Sequence, residues 1–332
     1  MNDARRSRRR PWAFAAAFLL FVAAVVTIYG IAWRTADEHA RAMVEHRGPA
    51  PAPGDPTPAD SGMRYTDVPL GARDGTKLAG WWIIPEDGVR RPDLAVVVLA
   101  HAADERGKAS LLSLAPALHQ AGYILLLFDF RSYGGSEGSA TTYGFLEQQD
   151  LDAAVRLARE RALGAPIALL GQGMGATTAL LVAAQDPGIV CTVADSPWHS
   201  WDEAFFHRPG VDSITGNFQV ETMTKRALAK RIGFGFGTDE AREPLIAAPL
   251  AASRPVMVIY GETDEFIPFH YQVKIVSAVG TPNATWAWRA PGTGHLGAYP
   301  SAPDEYRARV LEFLDLSMAA HRDSTVAPSS AP

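Results

Sequence analysis

The stretch best equipped for chemistry is Ile167-Ala168-Leu169-Leu170-Gly171-Gln172-Gly173-Met174-Gly175-Ala176. A short apolar run stops at clustered glycines, and a helical pattern follows through Ala179, Leu180 and Ala183. The stretch therefore reads as strand, tight turn, helix. Two chemistries compete for the turn. One is the elbow G-x-S-x-G, which exposes a nucleophilic serine; here Gly173 stands where the serine should be. The other is the dinucleotide fingerprint G-x-G-x-x-A, read as Gly171, Gly173 and Ala176, with Asp195 as the acid at the end of the next apolar run.

Either turn needs a sheet to hold it. Leu94–Ala100 and Ile124–Phe130 are nearly continuous apolar runs, the signature of strands buried on both faces. Further strand patterns fall at Tyr65–Leu70, Leu78–Ile84, Val190–Ala194, Val256–Tyr260 and Ala284–Ala290. Helical patterns alternate with them at Ala109–Ala121, Phe145–Ala162, Tyr271–Val279 and Asp304–Ala319. That alternation predicts an α/β fold, a mostly parallel sheet with helices on both faces, spanning residues 63–320 and interrupted by an insertion at 196–252. In such sheets functional groups gather at the carboxyl ends of the strands. Those ends carry His101-Ala102-Ala103, Asp129–Gly138, the Gly171–Gly175 turn, Gly261-Glu262-Thr263-Asp264 and Gly294-His295.

In that order the series resembles the α/β-hydrolase superfamily, in particular its serine hydrolases of the lysophospholipase, monoglyceride lipase and serine aminopeptidase type. The resemblance covers roughly residues 64–320. A dinucleotide fingerprint would favour the first strand of its domain, whereas this turn follows several. By resemblance, Asp264 is the triad acid, His295 the general base, and the main-chain N–H groups of Met174 and Ala103 the oxyanion donors. The chain departs from the family at the nucleophile. Gly173 has no side chain, so no acyl-enzyme forms there. Members whose oxyanion loop starts His-Gly have glycine where this chain has Ala102, and Asp104-Glu105 add negative charge nearby. Ser196 reads as a helix cap, and Thr177 and Thr178 lie too far into the helix to substitute. The resulting expectation is a pseudo-hydrolase that binds an apolar or acyl ligand or a protein partner. The alternatives are a weak or atypical hydrolase of esters, amides or lipids acting through His295 and Asp264, and a dinucleotide-dependent enzyme using Gly171–Ala176. No HExxH, paired histidine ligands or P-loop occurs, so the sequence implies no metal and no cofactor.

The insertion 196–252 falls where this family carries a lid. Its aromatics, led by Trp198, Trp201, Phe205 and Phe206, are candidates for a pocket wall or lipid-touching surface, with a small satellite core as the other reading. Upstream, a basic segment (residues 1–10) precedes an apolar run from Pro11 to Trp33 that has the length of a membrane span. The length of the run, and the lack of a small-x-small site directly after it, predict a retained single-pass anchor over the alternative of a cleaved signal. The arginine excess before the run predicts a cytoplasmic N-terminus and an extracytoplasmic main domain. Residues 34–62 read as a polar stalk and proline-rich linker, and 321–332 as a disordered tail. The 332 residues carry a net charge of -5, which gives no sign of nucleic-acid binding. Cys191 is the only cysteine, which excludes an intrachain disulfide.

Overall fold

The computed structural model describes residues 9–85, 95–206, 218–234, 243–251, 253–279 and 285–326. In chain order these form α1 (Arg9–Val44), β1 (Tyr65–Gly71), β2 (Lys77–Ile83), β3 (Val96–Ala100), α2 (Ala115–Gln120), β4 (Ile124–Phe128), α3 (Gln148–Arg161), β5 (Ile167–Gln172) and α4 (Met174–Gln185). There follow β6 (Ile189–Asp195), α5 (Trp201–Phe206), α6 (Phe218–Ile232), α7 (Pro244–Ala251), β7 (Val256–Gly261), α8 (Phe269–Val279), β8 (Thr285–Ala290), α9 (Ala298–Ser301) and α10 (Pro303–Val326). The chain divides into two compact units, Met1–Met43 with Ser213–Phe236, and Val44–Asp212 with Gly237–Pro332.

The larger unit is built on one eight-stranded sheet in the order β1-β2-β4-β3-β5-β6-β7-β8. Strands β1 to β2 and β2 to β4 pair antiparallel, and every other pair is parallel. This is the mostly parallel, two-sided sheet that the apolar runs imply. Strand β3 shows why: Val96, Val98 and Ala100 enter one core while Val97 and Leu99 enter the other, and all five are buried. A strand covered on both faces has no polar side to alternate with. Helices α3, α4, α7 and α8 contribute to the first core, and α2 and α10 to the second.

Buried charges tie the strand ends together. Asp129, just after β4, accepts hydrogen bonds from the main chain of Lys108 (2.8 Å) and Gly135 (2.9 Å) and from Lys108 Nζ (2.5 Å). Arg131 bonds Asp150 of α3 (2.6 Å) and Asp74 of the β1–β2 turn (2.8 Å). Burial pushes the Asp150 carboxyl up to about 6 in spite of the opposing arginine bonds.

The smaller unit holds most of α1 and all of α6. The apolar part of α1 is exposed, and by length and composition the helix is a candidate membrane span. The polar stalk continues it without a break to Val44. Arg231 of α6 bonds both carboxylate oxygens of Asp37 on α1 (2.7 and 2.8 Å).

Three expectations are corrected. The junction of the stalk and the proline-rich linker is a docked strap: His46 N–H donates to Ser139 O (3.0 Å), Gly48 N–H to Ser132 O (2.8 Å), and Arg47 Nη1 to Ser136 O (2.6 Å). Proline removes its own donor, and neighbours supply these bonds. The C-terminal segment is helical through Val326, because α10 propagates from a buried face that includes Tyr306, Val310, Phe313 and Leu314. Only residues 327–332 of the expected tail fall outside the described residues, as do residues 1–8 of the basic segment. Third, the insertion is not one piece: α5 and α7 belong to the larger unit and α6 to the smaller. Helix α7 supplies core residues Ala248 and Ala251, so it completes the helical layer.

Lys108 and Asp129 are both buried, and removing one partner leaves an unpaired charge. Lys108→Met is expected to lower unfolding stability by about 3–5 kcal/mol, read from urea denaturation of the full chain. A change within experimental error would show that the Lys108–Asp129 pair contributes nothing to stability.

Candidate active site

Strand β5 delivers the elbow. Gly173 has φ 53 and ψ -113, a left-handed conformation that strains any residue with a Cβ and costs glycine little. Its N–H donates to Asp195 O (2.8 Å), which pins the turn to the end of β6. The flanking glycines are needed for close approach. A Cβ on Gly171 would overlap the main chain of Gly175, and one on Gly175 would overlap the carbonyl of Ala100 in β3. Each glycine of the turn thus has a backbone task. Asp195, the acid of the dinucleotide reading, is fully buried and holds Tyr306 Oη (3.0 Å) and Ser196 Oγ (3.1 Å). It presents no free carboxylate to a ribose.

The acid and the base come from the next two strand ends. Asp264 Oδ1 accepts the N–H groups of Phe266 and Ile267 (2.9 Å each), and Oδ2 accepts His295 Nδ1–H (2.9 Å). With its proton on Nδ1, the imidazole keeps its lone pair on Nε2. A Cβ built on Gly173 would lie 3.6 Å from Nε2 and 3.3 Å from the Ala102 Cβ. A serine hydroxyl, about one bond further out, would reach hydrogen-bond range of Nε2. Gly261 lets the two loops meet, since a Cβ there would overlap the main chain of Gly294. The structure thus brings Gly173, Asp264 and His295 together with the spacing of a triad that lacks one side chain.

The two residues expected as oxyanion donors lie at the start of α4 and on the loop after β3. Met174 is the first residue of α4, where helical N–H groups have no intrahelical acceptor and the helix dipole favours negative charge. His101 fixes the opposite loop: its Nδ1 donates to Ala102 O (2.5 Å) and its Nε2 accepts Phe130 N–H (3.0 Å). Full burial lowers the His101 pKa and keeps the ring neutral, as this two-sided bonding requires. Ala103 follows in the exposed part of that loop. The charge expected to oppose an oxyanion is corrected in part. Burial raises the Asp104 carboxyl, but bonds from Arg106 (2.8, 2.9 and 3.2 Å) outweigh this, hold it below its usual value and pair its charge.

Around His295 stand two aromatic walls. Phe266 lies at 5.0 Å between ring centroids and Trp198 at 5.9 Å, both inclined by about 30°. The Trp198 indole N–H is buried and has no hydrogen-bond partner among the described residues. Of the other aromatic candidates, Trp201 packs edge-on against Phe145 (5.6 Å) and Phe205 against Tyr143 (5.4 Å); both are fully buried, as is Phe206. These two packings are satellite-core contacts, whereas Trp198 lines the site. Sequence reasoning passed over Phe266, although a phenylalanine two positions after a triad-type acid was visible.

Ser196 is no helix cap. It follows β6 with φ 56, and its Oγ bonds Asp195 and accepts Leu296 N–H (3.4 Å) beside His295. Leu296 is also left-handed, at φ 54. A cap assignment fails because α5 starts only at Trp201. Thr177 Oγ1 accepts the main-chain N–H of Trp198 (2.8 Å), so this helix residue positions the aromatic wall.

A strand-end elbow, an acid–histidine pair on later strands and an eight-stranded mostly parallel sheet define the α/β-hydrolase fold. Comparison with known proteins agrees. The family described as serine aminopeptidase, S33 matches residues 91–232. Rv2307c of Mycobacterium tuberculosis is 30% identical over 255 residues, 75% of this chain and 76% of that protein. YqkD of Bacillus subtilis is 28% identical over 260 residues, 76% of this chain and 80% of its own length. An esterase of Pyrococcus furiosus shares the fold at TM-score 0.64 and 24% identity, over 82% of this chain and 97% of the esterase. The chain belongs to the α/β-hydrolase superfamily.

Burial pushes the Asp195 carboxyl up to about 6, against the opposing bonds from Tyr306 and Ser196. A raised folded-state value means the native state binds the proton more tightly, so this stabilisation is full below about pH 4 and is lost as pH rises through 6. The wild type is therefore expected to lose about 2 kcal/mol relative to Asp195→Asn between pH 4 and pH 7. Paired urea titrations at the two pH values measure this. A constant difference would show that Asp195 stays ionised throughout.

Proposed function

We propose that this is a membrane-anchored pseudo-hydrolase, carried on a single N-terminal span with its N-terminus cytoplasmic, that binds an apolar or acyl ligand without forming an acyl-enzyme. One observation carries the reading: Gly173 leaves space, and no nucleophile, between Ala102 and His295 Nε2. Phe266 and Trp198 give that space apolar walls, and an acyl oxygen bound beside His295 would give the Trp198 N–H an acceptor. The first N–H of α4 adds a second donor for such an oxygen.

A second reading, slow hydrolysis by water, has its own support. Asp264 holds His295 in the tautomer of a general base, and that base faces the space at Gly173. Removing a triad member can leave roughly a thousandfold acceleration over water from the remaining groups.

Gly173→Ser in the full chain is expected to react with a fluorophosphonate and to hydrolyse p-nitrophenyl esters, with both signals abolished by adding His295→Ala. The serine costs about 1–3 kcal/mol of stability through the strained backbone. Adding Ala102→Gly is expected to improve the rate by freeing the 3.3 Å contact. Wild type should stay unlabelled. Efficient wild-type ester turnover that disappears in His295→Ala would overturn the pseudo-hydrolase reading in favour of the second.

A further inference from the structure

We propose that α6 is a membrane-surface helix whose basic face binds the anionic phospholipid headgroups of the leaflet from which α1 emerges. The inference rests on reading α1 as a retained membrane span, and it concerns a segment that resemblance alone would assign to a lid.

The first ground is height. The apolar run of α1 ends at Trp33, and Asp37 follows one helical turn later, about 6 Å further along the axis. The headgroup layer beyond the hydrocarbon is about 5–8 Å thick on each side. Arg231 is bonded to both oxygens of Asp37, so the C-terminal end of α6 is fixed at headgroup depth.

The second ground is the pattern of α6 itself. Thr224, Ala227, Leu228 and Ile232 are buried, at the spacing of one helical face, while Arg226, Lys230 and Arg231 are exposed. The helix carries four basic side chains against one acidic. Glu221 is paired with Lys225 (2.7 Å), and Arg231 with Asp37. On α1, Arg34 is paired with Glu38 and Arg41 with Asp37. Among the described residues, Arg226 and Lys230 have no ion-pair partner, and they stand within the same two turns as Arg231. Two unpaired cations near headgroup depth fit anionic lipid, where each basic residue contributes roughly a fivefold gain in binding. The arrangement favours lipid over an acidic protein because α1 already brings the bilayer to this end of α6.

The test uses the full chain in nanodiscs of phosphatidylcholine, alone or mixed three to one with phosphatidylglycerol. Cys191 is buried and its thiol pushed up to about 12 by burial, so an introduced cysteine labels selectively. An environment-sensitive fluorophore on Lys230→Cys is expected to be quenched by headgroup spin-labelled lipid. The free cysteine adduct of the same fluorophore, added to the same nanodiscs, sets the unquenched level. With phosphatidylglycerol the quenching at 230 should rise, and adding Arg226→Gln should remove that rise. A fluorophore at 230 as unquenched as the free adduct, in protein that resists carbonate extraction, overturns the assignment of α6 while leaving the anchor intact. Release of the chain by carbonate overturns the anchor, and this proposal with it.

Discussion

The close approach of α4 to the ends of β3 and β5 is the constraint on which the site depends. Gly175 lies against the Ala100 carbonyl and Gly171 against Gly175 itself, with no room for a side chain at either position. That contact fixes the reverse bend at Gly173 and sets the first N–H groups of α4 at the sheet edge. A second backbone contact, Gly261 against Gly294, brings the acid and the histidine together in the same way. The geometry is therefore specified by main chain pressed on main chain. It persists at Gly173 without any side chain to maintain it.

Beneath this edge lies a set of buried ionisable groups that the backbone alone would not tolerate. Asp129 is held by Lys108, Asp150 by Arg131, and Asp195 by Tyr306 and Ser196. The first two neutralise charge by pairing. The third is held by two hydroxyl donors, and its carbonyl also anchors the Gly173 N–H. Polar groups under a sheet edge must be satisfied in one of these ways, since burial without a partner is costly.

Much of the fold was legible because its causes are local. Val96–Ala100 and Ile124–Phe128 can only be strands buried on both faces, and the order of turn, acid and histidine along the chain marks the sheet edge. Asp264 and His295 were legible because each ends a strand run. What stayed hidden depends on long-range pairing. The lock of Tyr306 on Asp195 joins residues more than a hundred positions apart. The strap at His46–Gly48 is held by single hydrogen bonds that leave no periodic pattern. The division of the insertion was invisible for the same reason, because the Arg231–Asp37 pair joins residues 194 positions apart. Ser196 was misread because a serine after a strand looks like a cap, and only its left-handed backbone reveals another task.

The Ala102 methyl and the bare Gly173 have a consequence for how this sequence can change. Each makes the other easier to keep: glycine relaxes the bend, and the methyl occupies space that a side chain at 173 would enter. A serine arriving alone meets both backbone strain and a crowded neighbour, whereas a glycine at 102 arriving alone adds chain entropy to the unfolded state. Both single steps run uphill, so the pair is epistatic. The turn behaves as a ratchet against acquiring a nucleophile one substitution at a time.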